Sequence, residues 1–519
     1  MDLPPEPSAA PSLSVTGSHL SLEDLGRVAR DPSVSVSLTR EAREGVVRSR
    51  ELVESLLAGE GQIYGVTTGF GRLAEVVIPP AQREALQTNL VRSHSAGVGE
   101  PLSAEEVRAI MTLRVNALAR GHSGCRIDVL DRLVTFLNQG VHPVVPEVGS
   151  VGASGDLAPL AHVALALLGE GEVEHRGVLR PTGDVLEELG LEPLVLREKE
   201  GLALINGTQA TTALGSLAFL RARVALDSAE VAGAMTLEGL KGTPEAFRPE
   251  AQAVRPHPGQ AESAARLTAL LAGSEIRESH RYGDPRVQDA YCLRCMPQVH
   301  GAAREVLGYV GRILATEANS TTDNPLVLPD VEAVISAGNF HAQVVAQALD
   351  FLAIALADLA AISERRIERL LNPDLSGHAP FLTREAGLQS GFMIAQVTAV
   401  DLLAEMRVLA HPASVDSVPT SANQEDHVSI GMAAARKVRR SVACLEYILG
   451  IELLCGGQAV EDLAPLRPGR GVAEALDRIR RTVRPLTQDR VLAPDMEEMA
   501  RLVREGAMAN LTTTKKEDP

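Results

Sequence analysis

Residues 341–371, HAQVVAQALDFLAIALADLAAISERRIERLL, form a long Ala/Leu-rich segment that stops before Asn372 and Pro373. Similar segments lie at 209–240, 388–409 and 428–454. Segments that are this long and nearly all apolar are typical of helices in the middle of a bundle. They therefore predict a mainly α fold with a long central helical bundle.

Composition agrees with a helical protein. Of the 519 residues, 45% are hydrophobic, only 3% are aromatic, and tryptophan is absent. The apolar content is mainly Ala, Leu and Val, which favours packed helices over β-sandwiches. A formal net charge of −17 disfavours nucleic acid as a partner, because phosphate neutralisation needs clustered Lys and Arg.

The N-terminus lacks the features of a signal peptide. Its first dozen residues, MDLPPEPSAAPS, carry acid and proline where a signal peptide has basic and then apolar residues. We expect disordered tails at 1–12 and 511–519. The most apolar internal run, FLAIALADLAAI at 351–362, is too short to span a bilayer and contains Asp358. These patterns predict a cytoplasmic protein without a membrane partner.

Cysteine usage indicates neither a disulfide framework nor a metal site. Cys292 and Cys295 form a CxxC pattern, but no second pair lies nearby, so we interpret them as ordinary helical cysteines and expect no metal. The five cysteines are too few and odd in number for a disulfide scaffold: Cys125, Cys292, Cys295, Cys444 and Cys455.

The N-terminal part of the chain also predicts helices. Ser103 and Glu106 form a capping-box pair at the start of 103–121. A second apolar pattern at helical spacing ends at Gly140. We predict an N-terminal lobe at 13–205 and a helical lobe at 206–510.

The stretch GSVGASGDLAPLAH, residues 149–162, does not fit the familiar uses of glycine and serine. It has no lysine for a phosphate loop, and its GxSG is one residue short of a nucleophile elbow. A turn with Asp156 as the N-cap of the next helix is one interpretation. A chemical interpretation is that the Gly155 nitrogen closes a ring on the Ala153 carbonyl carbon, and two dehydrations leave Ser154 as a dehydroalanine. Glycine suits the attacking position because it has no Cβ.

The same stretch resembles the signature of the aromatic amino acid ammonia-lyases, whose prosthetic group is methylidene-imidazolone (MIO). The resemblance implies an all-α homotetramer with shared active sites, an amino acid substrate, an MIO formed from Ala153, Ser154 and Gly155, and no external cofactor. Further blocks across most of the chain resemble the family: YGVTTGFG, SHSAGVGE, LALINGTQA, RVQDAYCLRCMPQV, TTDNPLV, GNFH and TSANQEDHVSIG.

Two positions bear on the substrate. Ser93 and His94 resemble the corresponding pair in family members that act on histidine. Glu425 can accept an imidazole N–H, but would be left unpaired against a phenyl ring. We therefore expect elimination of ammonia from histidine to give urocanate, with a tyrosine or phenylalanine lyase or an aromatic 2,3-aminomutase as alternatives.

Some features depart from the histidine type. GNFH is not followed by Gly-Glu-Pro, Met296 stands where glutamine is usual, and Thr67 is closer to the phenylalanine type. The departures concern substrate strictness and leave the ring-forming residues unchanged.

The resemblance also implies roles for the remaining site residues. Arg294 would clamp the substrate carboxylate bidentately, and Asn206 would help to orient it. Tyr64 would be the base on a mobile loop, with Tyr291 as the second candidate, and its pKa would have to be lowered by positive surroundings such as helix N-termini. Pocket-lining positions would be Gln288 and Phe340, and a core role for Phe340 stays open.

Other classes of protein are less consistent with the sequence. A fumarase-like lyase should carry a GSS-containing lysine loop, and none is present. A pyridoxal-phosphate lyase would need a lysine with a supporting motif, which Lys199, Lys241 and Lys437 lack. A helical scaffold without activity would tolerate Ser154→Ala unchanged.

Overall fold

The computed structural model describes residues 11–58, 66–73, 75–509 and 511. Packing divides the chain into two compact units. The first unit comprises Met1–Leu217, Gly311–Leu349 and Pro412–Arg436, and the second comprises Ala218–Val310, Asp350–His411 and Lys437–Pro519.

The predicted lobes, 13–205 and 206–510, do not follow this division, because the chain returns twice to the first unit. Of the predicted tails, residues 1–10 and 512–519 lie outside the described residues, and a strand already begins at Ser12.

The fold is mainly α, as the sequence predicts. Helices of the first unit are Leu22–Arg30, Arg40–Leu57, Arg83–His94, Ala104–Ala119, Ile127–Gln139, Leu157–Leu167, Thr182–Glu188 and Glu200–Ile205. Unit boundaries fall inside Gln209–Gly239, Met296–Ala318, Gln343–Leu371 and Gly431–Glu461. Helices of the second unit are Pro249–Ala253, Pro258–Leu270, Glu275–Ser279, Tyr291–Arg294, Pro373–Ser376, Met393–Leu409, Arg470–Arg480 and Ala493–Arg504.

Short strands in the first unit form small sheets. Ser12–Val15 pairs in parallel with Ser35–Leu38, and Leu326–Leu328 pairs antiparallel with Ala333–Ile335. Val98–Pro101 pairs antiparallel with Pro146–Val148. An antiparallel sheet has the order Val141–Pro143, Glu172–His175, Val178–Pro181. Single 3₁₀ turns lie at Gly71–Leu73, Pro80–Gln82, Pro244–Phe247, Pro329–Val331, Pro380–Leu382 and Ser421–Asn423.

Local signals placed several helix ends correctly. Ser103 Oγ accepts from the Glu106 N–H at 3.3 Å, and Glu106 accepts from the Ser103 N–H at 2.9 Å, which confirms the capping box. Gly140 ends its helix in the left-handed region at φ 64°. The segment predicted at 388–409 begins only at Met393, because Gly391 adopts φ 57° and its N–H binds Asp489 instead of continuing a helix.

Two helices are long enough to cross a bilayer, although the apolar run at 351–362 alone is too short. Gln343–Leu371 and Gly431–Glu461 are each long and apolar enough to cross a bilayer by length and composition. The apolar run at 351–362 lies within the helix Gln343–Leu371, which matches the long segment predicted at 341–371. Core helices pass the same test, and the most apolar windows of the two helices are 56% and 89% buried inside the protein. Length and composition alone therefore carry no conclusion about a membrane.

Three helices of the first unit position the candidate site. Leu157–Leu167 packs against both Arg83–His94 and Glu200–Ile205, which also pack against each other. His94 ends the first of these partners, and Asn206 caps the end of the second. The stretch 149–156 leads into the N-terminus of Leu157–Leu167. The packing thus gathers the ends of three separate elements.

Candidate active site

The Ala153-Ser154-Gly155 segment has an unusual backbone. Ser154 lies in the left-handed region at φ 52°, between Gly152 at φ 69° and Gly155 at φ 79°. Residues with a Cβ rarely adopt this conformation, which costs about 1–2 kcal/mol per residue. Strained backbone of this kind is found at functional sites where the surrounding structure holds it in place.

Gly155 lies directly against Gly207. The two residues form a parallel bridge, and the Asp156 N–H donates to the Gly207 carbonyl at 2.7 Å. A Cβ at Gly155 would lie 2.3 Å from both the nitrogen and the oxygen of Gly207. Only glycine fits at this position, which agrees with the predicted need for an attacking nitrogen without a neighbouring Cβ.

The other side of the segment is held by residues that follow much later in the sequence. Ser429 Oγ donates to the Gly152 carbonyl at 3.0 Å, and the Ile430 N–H donates to the Val151 carbonyl at 2.8 Å. The Ala342 N–H reaches the Gly152 carbonyl at 3.3 Å. The segment is therefore clamped from two sides by distant parts of the first unit.

Asp156 occupies the predicted N-cap position, but its side chain does not cap the helix. The buried carboxylate accepts from Ser150 Oγ at 2.7 Å, the Thr211 N–H at 2.7 Å and Thr211 Oγ1 at 2.8 Å. Burial raises the pKa of Asp156, while these hydrogen bonds oppose the rise. The interpretation of Asp156 as a simple capping residue was wrong, because its carboxylate ties the segment to the start of helix Gln209–Gly239.

Helix N-termini surround the segment. Helix Leu157–Leu167 begins directly after it, and helices Gln209–Gly239, Gln343–Leu371 and Gly431–Glu461 begin beside its hydrogen-bond partners. Each N-terminus carries roughly half a positive charge. These N-termini contribute positive potential at the segment, beside the carboxyl groups of Asp156 and Glu425.

A cavity of about 550 Å³ opens beside Ser154 within the first unit. It brings together Ser154 and three more of the predicted site residues, His94, Asn206 and Glu425. Its volume suits a small molecule, and apolar side chains such as Leu157 share the lining with these polar groups.

Glu425 contacts the segment directly. Ser154 Oγ donates to Glu425 Oε1 at 2.9 Å, and Thr420 Oγ1 donates to Glu425 Oε2 at 2.8 Å. Each carboxylate oxygen therefore has one recorded donor. The sequence analysis did not identify Thr420, although this residue begins the TSANQEDHVSIG block. The sequence alone does not show that the chain folds back and brings Glu425 to Thr420.

The ring of His94 has one nitrogen committed to its own helix. Nδ1 lies 2.9 Å from the Leu90 carbonyl and 3.0 Å from Ser93 Oγ. A carbonyl only accepts, so Nδ1 carries the proton and Nε2 is left as an acceptor in the neutral ring. Burial lowers the pKa of His94, while the Leu90 carbonyl and the charge of Glu425 oppose the effect.

This shift predicts a pH dependence of stability. The unfolded chain takes up the His94 proton near pH 6.5, and the folded chain does so only at lower pH. The unfolded state binds more protons in that window, so the free energy of unfolding falls as the pH decreases below about 6.5. We expect wild type to lose stability relative to His94→Asn by less than about 1.4 kcal/mol per pH unit, with a constant difference above about pH 7.5. Denaturant titrations across this range test it, and parallel curves would contradict it.

Asn206 has an atom without a partner. Its Nδ2 donates to the Asn324 carbonyl at 2.9 Å, and its main-chain oxygen accepts from the buried Arg114 at 2.7 Å. Its Oδ1 is buried and has no hydrogen-bond donor among the described residues. A buried acceptor without a donor is costly, so Oδ1 is suited to receive a donor from a ligand in the cavity.

Three predicted residues belong to the second unit. Tyr291 begins helix Tyr291–Arg294, and the Arg294 guanidinium lies 4.4 Å from the centre of its ring. Arg294 Nε donates to the Asp289 carbonyl at 3.0 Å. Gln288 and Tyr291 are both exposed. Their predicted roles stay predictions.

The remaining predictions concern Phe340, Tyr64 and the two cysteines of the CxxC pattern. Phe340 is half-buried in the first unit and is not among the residues that line the cavity. Tyr64 lies outside the described residues. Cys292 and Cys295 are free thiols, and the described residues contain no group of His, Cys, Asp and Glu that could hold a metal ion.

Comparisons with known proteins show the family to which the chain belongs. Residues 20–481 match the model of the aromatic amino acid lyase family. The chain is 55% identical over 505 residues to a histidine ammonia-lyase of Anaeromyxobacter dehalogenans, covering 96% of this chain and 99% of that one.

Solved structures of the same kind are similar along nearly the whole chain. The histidine ammonia-lyase of Trypanosoma cruzi has a TM-score of 0.90 at 44% identity and covers 96% of this chain and 95% of its own. A tyrosine aminomutase from Streptomyces globisporus has a TM-score of 0.91 at 39% identity and covers 98% and 99%. The fold and site therefore define an enzyme of the lyase class. The chain belongs to the aromatic amino acid lyase family.

Proposed function

We propose that the protein is a histidine ammonia-lyase that eliminates ammonia from L-histidine to give trans-urocanate, the first step of histidine degradation. The observation that carries this proposal is the cavity in which His94 and Glu425 lie beside Ser154. The curated relatives named above, which are similar over nearly their full length, support it.

The residues present fit an MIO group formed from Ala153, Ser154 and Gly155. The left-handed backbone at Ser154 and Gly155 and the absence of room for a Cβ at Gly155 favour a tight ring over an extended loop. When formed, the group supplies an electrophilic methylene that no ordinary side chain provides. The clamps from Gly207 and Ser429 hold its precursor, and helix N-termini supply positive potential.

Side chains of the cavity suit an imidazole-bearing amino acid. Glu425 accepts a ring N–H, and a phenyl ring would leave its carboxylate without that donor. The second N–H of Asn206 Nδ2 is the group that could orient the carboxylate.

The remaining proposed groups are not among the described residues that line this cavity. In the proposed site, which is shared between copies, Arg294 binds the substrate carboxylate, and Gln288 and Phe340 contact the substrate. Tyr64 is the proposed base that removes the β-proton, and Tyr291 is the second candidate.

We also propose a cytoplasmic homotetramer with active sites shared between copies. Helix Met393–Leu409 exposes apolar side chains at helical spacing, which is typical of a surface covered by another chain. These residues are Met393, Ile394, Val397, Val400 and Val408.

An aromatic aminomutase is the second candidate, because the tyrosine aminomutase noted above is similar over nearly its entire length. An aminomutase would return ammonia to the β-carbon, whereas a lyase would release it. A tyrosine or phenylalanine lyase would differ only in the ring that it accepts.

Product analysis separates these candidates. The purified protein is incubated with L-histidine, L-tyrosine or L-phenylalanine, and near-ultraviolet absorbance, ammonia and β-amino acids are measured. The proposal requires urocanate and ammonia in equal amounts from histidine. Formation of a β-amino acid, or turnover only of tyrosine or phenylalanine, would overturn it.

Glu425→Gln tests the proposed contact to the ring. The amide keeps the shape of the side chain but removes the negative charge, so the hydrogen bond to the imidazole N–H weakens. We expect kcat/KM for histidine to fall by about 10–100-fold. The intact mass should keep its deficit of two waters, which shows that the ring still forms. An unchanged kcat/KM would exclude Glu425 from substrate recognition.

A further inference from the structure

Thr420 and Glu425 close a short loop through main-chain and side-chain bonds. The Thr420 N–H donates to the Glu425 carbonyl at 2.8 Å, and the Glu425 N–H donates to the Thr420 carbonyl at 3.3 Å. The Thr420 hydroxyl adds its bond to Glu425 Oε2 at 2.8 Å. The carboxylate is therefore held by the residue at the other end of its own loop.

The loop between them has a strained backbone. Ser421, Ala422 and Asn423 are all left-handed, at φ 50°, 52° and 66°. Such conformations persist only where the surroundings hold them, and they occur mainly at functional sites. The bonds between Thr420 and Glu425 are the recorded contacts that close this loop, and Ser421 lines the cavity beside Ser154.

Formation of the proposed ring changes the hydrogen bonds of the two Glu425 carboxylate oxygens differently. Ring closure joins the Gly155 nitrogen to the Ala153 carbonyl carbon, and the carbonyl oxygen leaves as water with the N–H hydrogens of Ser154 and Gly155. The second dehydration expels Ser154 Oγ with the Cα hydrogen as water and leaves a Cα=Cβ double bond. Oε1 then loses the donor that it has at 2.9 Å, whereas Oε2 keeps the Thr420 hydroxyl.

We propose that Thr420 is a positioning residue for substrate recognition. Its hydroxyl holds Oε2 of Glu425, so that Oε1, released from Ser154, accepts the ring N–H of the substrate. This inference rests on the proposed function, because it assumes both the maturation of Ser154 and an imidazole ring in the cavity. The side-chain hydrogen bond of Thr420 is to the Glu425 carboxylate.

Binding of two ring analogues tests the proposal without turnover. Urocanate and cinnamate share the acrylate group and differ in having an imidazole or a phenyl ring. Their Kd values are measured by calorimetry in ammonia-free buffer for wild type and Thr420→Val. We expect the variant to bind urocanate about 10–100-fold more weakly and cinnamate with unchanged affinity, since a hydrogen bond to a charged group is worth that much. Thr420→Ser should restore urocanate binding.

Thr316→Val is the matched control, because the exposed Thr316 hydroxyl binds only the Arg312 carbonyl of its own helix in the recorded contacts. It should change neither Kd. If Thr420→Val folds poorly, as shown by its melting temperature, Thr420→Ala makes the same deletion without a β-branched side chain. Intact mass confirms maturation in each variant.

Three other results would overturn the proposed role of Thr420. Equal weakening of urocanate and cinnamate, or failure of Thr420→Ser to restore urocanate binding, would overturn the positioning role and leave the proposed function standing. A wild-type protein that matures but does not prefer urocanate would remove the imidazole assignment, and the role of Thr420 with it.

Discussion

Ser154→Ala is expected to abolish the lyase activity while leaving the fold in place. Without the serine hydroxyl there is no second dehydration, so the electrophile does not form. We expect kcat for histidine to fall by on the order of 10³-fold or more, because the covalent route supplies most of the rate enhancement. Wild type should be lighter than its plain sequence by two water molecules, and the variant should lack this full deficit.

The fold should tolerate this change. Ser154 loses one hydrogen bond to Glu425, worth about 1–2 kcal/mol, and alanine has the same backbone preference at φ 52° as serine. Ser228→Ala is the control, since its hydroxyl binds the Val224 carbonyl within a helix. It should keep both the mass deficit and the activity. A wild-type mass equal to the plain sequence, in active protein, would refute the MIO proposal.

Gly155→Ala has the second largest expected effect. The added Cβ would overlap the Gly207 backbone, which cannot rotate away as a side chain could. We expect a loss of about 2–5 kcal/mol in the free energy of unfolding, from the clash together with the left-handed backbone. Ring closure should also fail, because the Gly155 nitrogen is pushed from its place. Chemical unfolding and intact mass measure the two effects.

Gly177→Ala separates the clash from the backbone cost. Gly177 has φ 75°, close to the 79° of Gly155, but a Cβ there would meet nothing within 4 Å. This control should lose only about 1–2 kcal/mol and keep the full mass deficit. If the two variants are equally stable and both mature, the close approach of Gly155 and Gly207 is not what excludes a side chain.

The helical architecture was predictable because its signals are local. Long apolar segments, the capping box at Ser103 and the glycine at 140 each act within a few residues. The boundary that was missed, at Met393, depends on Asp489, which is distant in sequence. The division into two units was also not predictable, because it depends on which segments the chain brings back to the first unit.

The sequence predicted several residues of the cavity, but it did not predict the hydrogen bonds that hold them in place. The sequence of 149–162 predicts a ring, and that ring stays a prediction. The structure brings His94, Asn206 and Glu425 of the predicted blocks into one cavity with Ser154. The anchoring role of Asp156 was missed, because its partner Thr211 lies in another element. Thr420 was missed for a similar reason, since its bond to Glu425 exists only after the loop has closed.

The contacts that hold the Ala153-Ser154-Gly155 segment from two sides have a consequence for biosynthesis. The holding groups at Gly207, Ala342, Ser429 and Ile430 emerge from the ribosome long after Ser154. A nascent or prematurely terminated chain therefore lacks the groups that hold this segment, and the proposed ring should not close in it. If the ring forms as proposed, a mass deficit of two waters is expected only in chains that have been translated beyond Ile430.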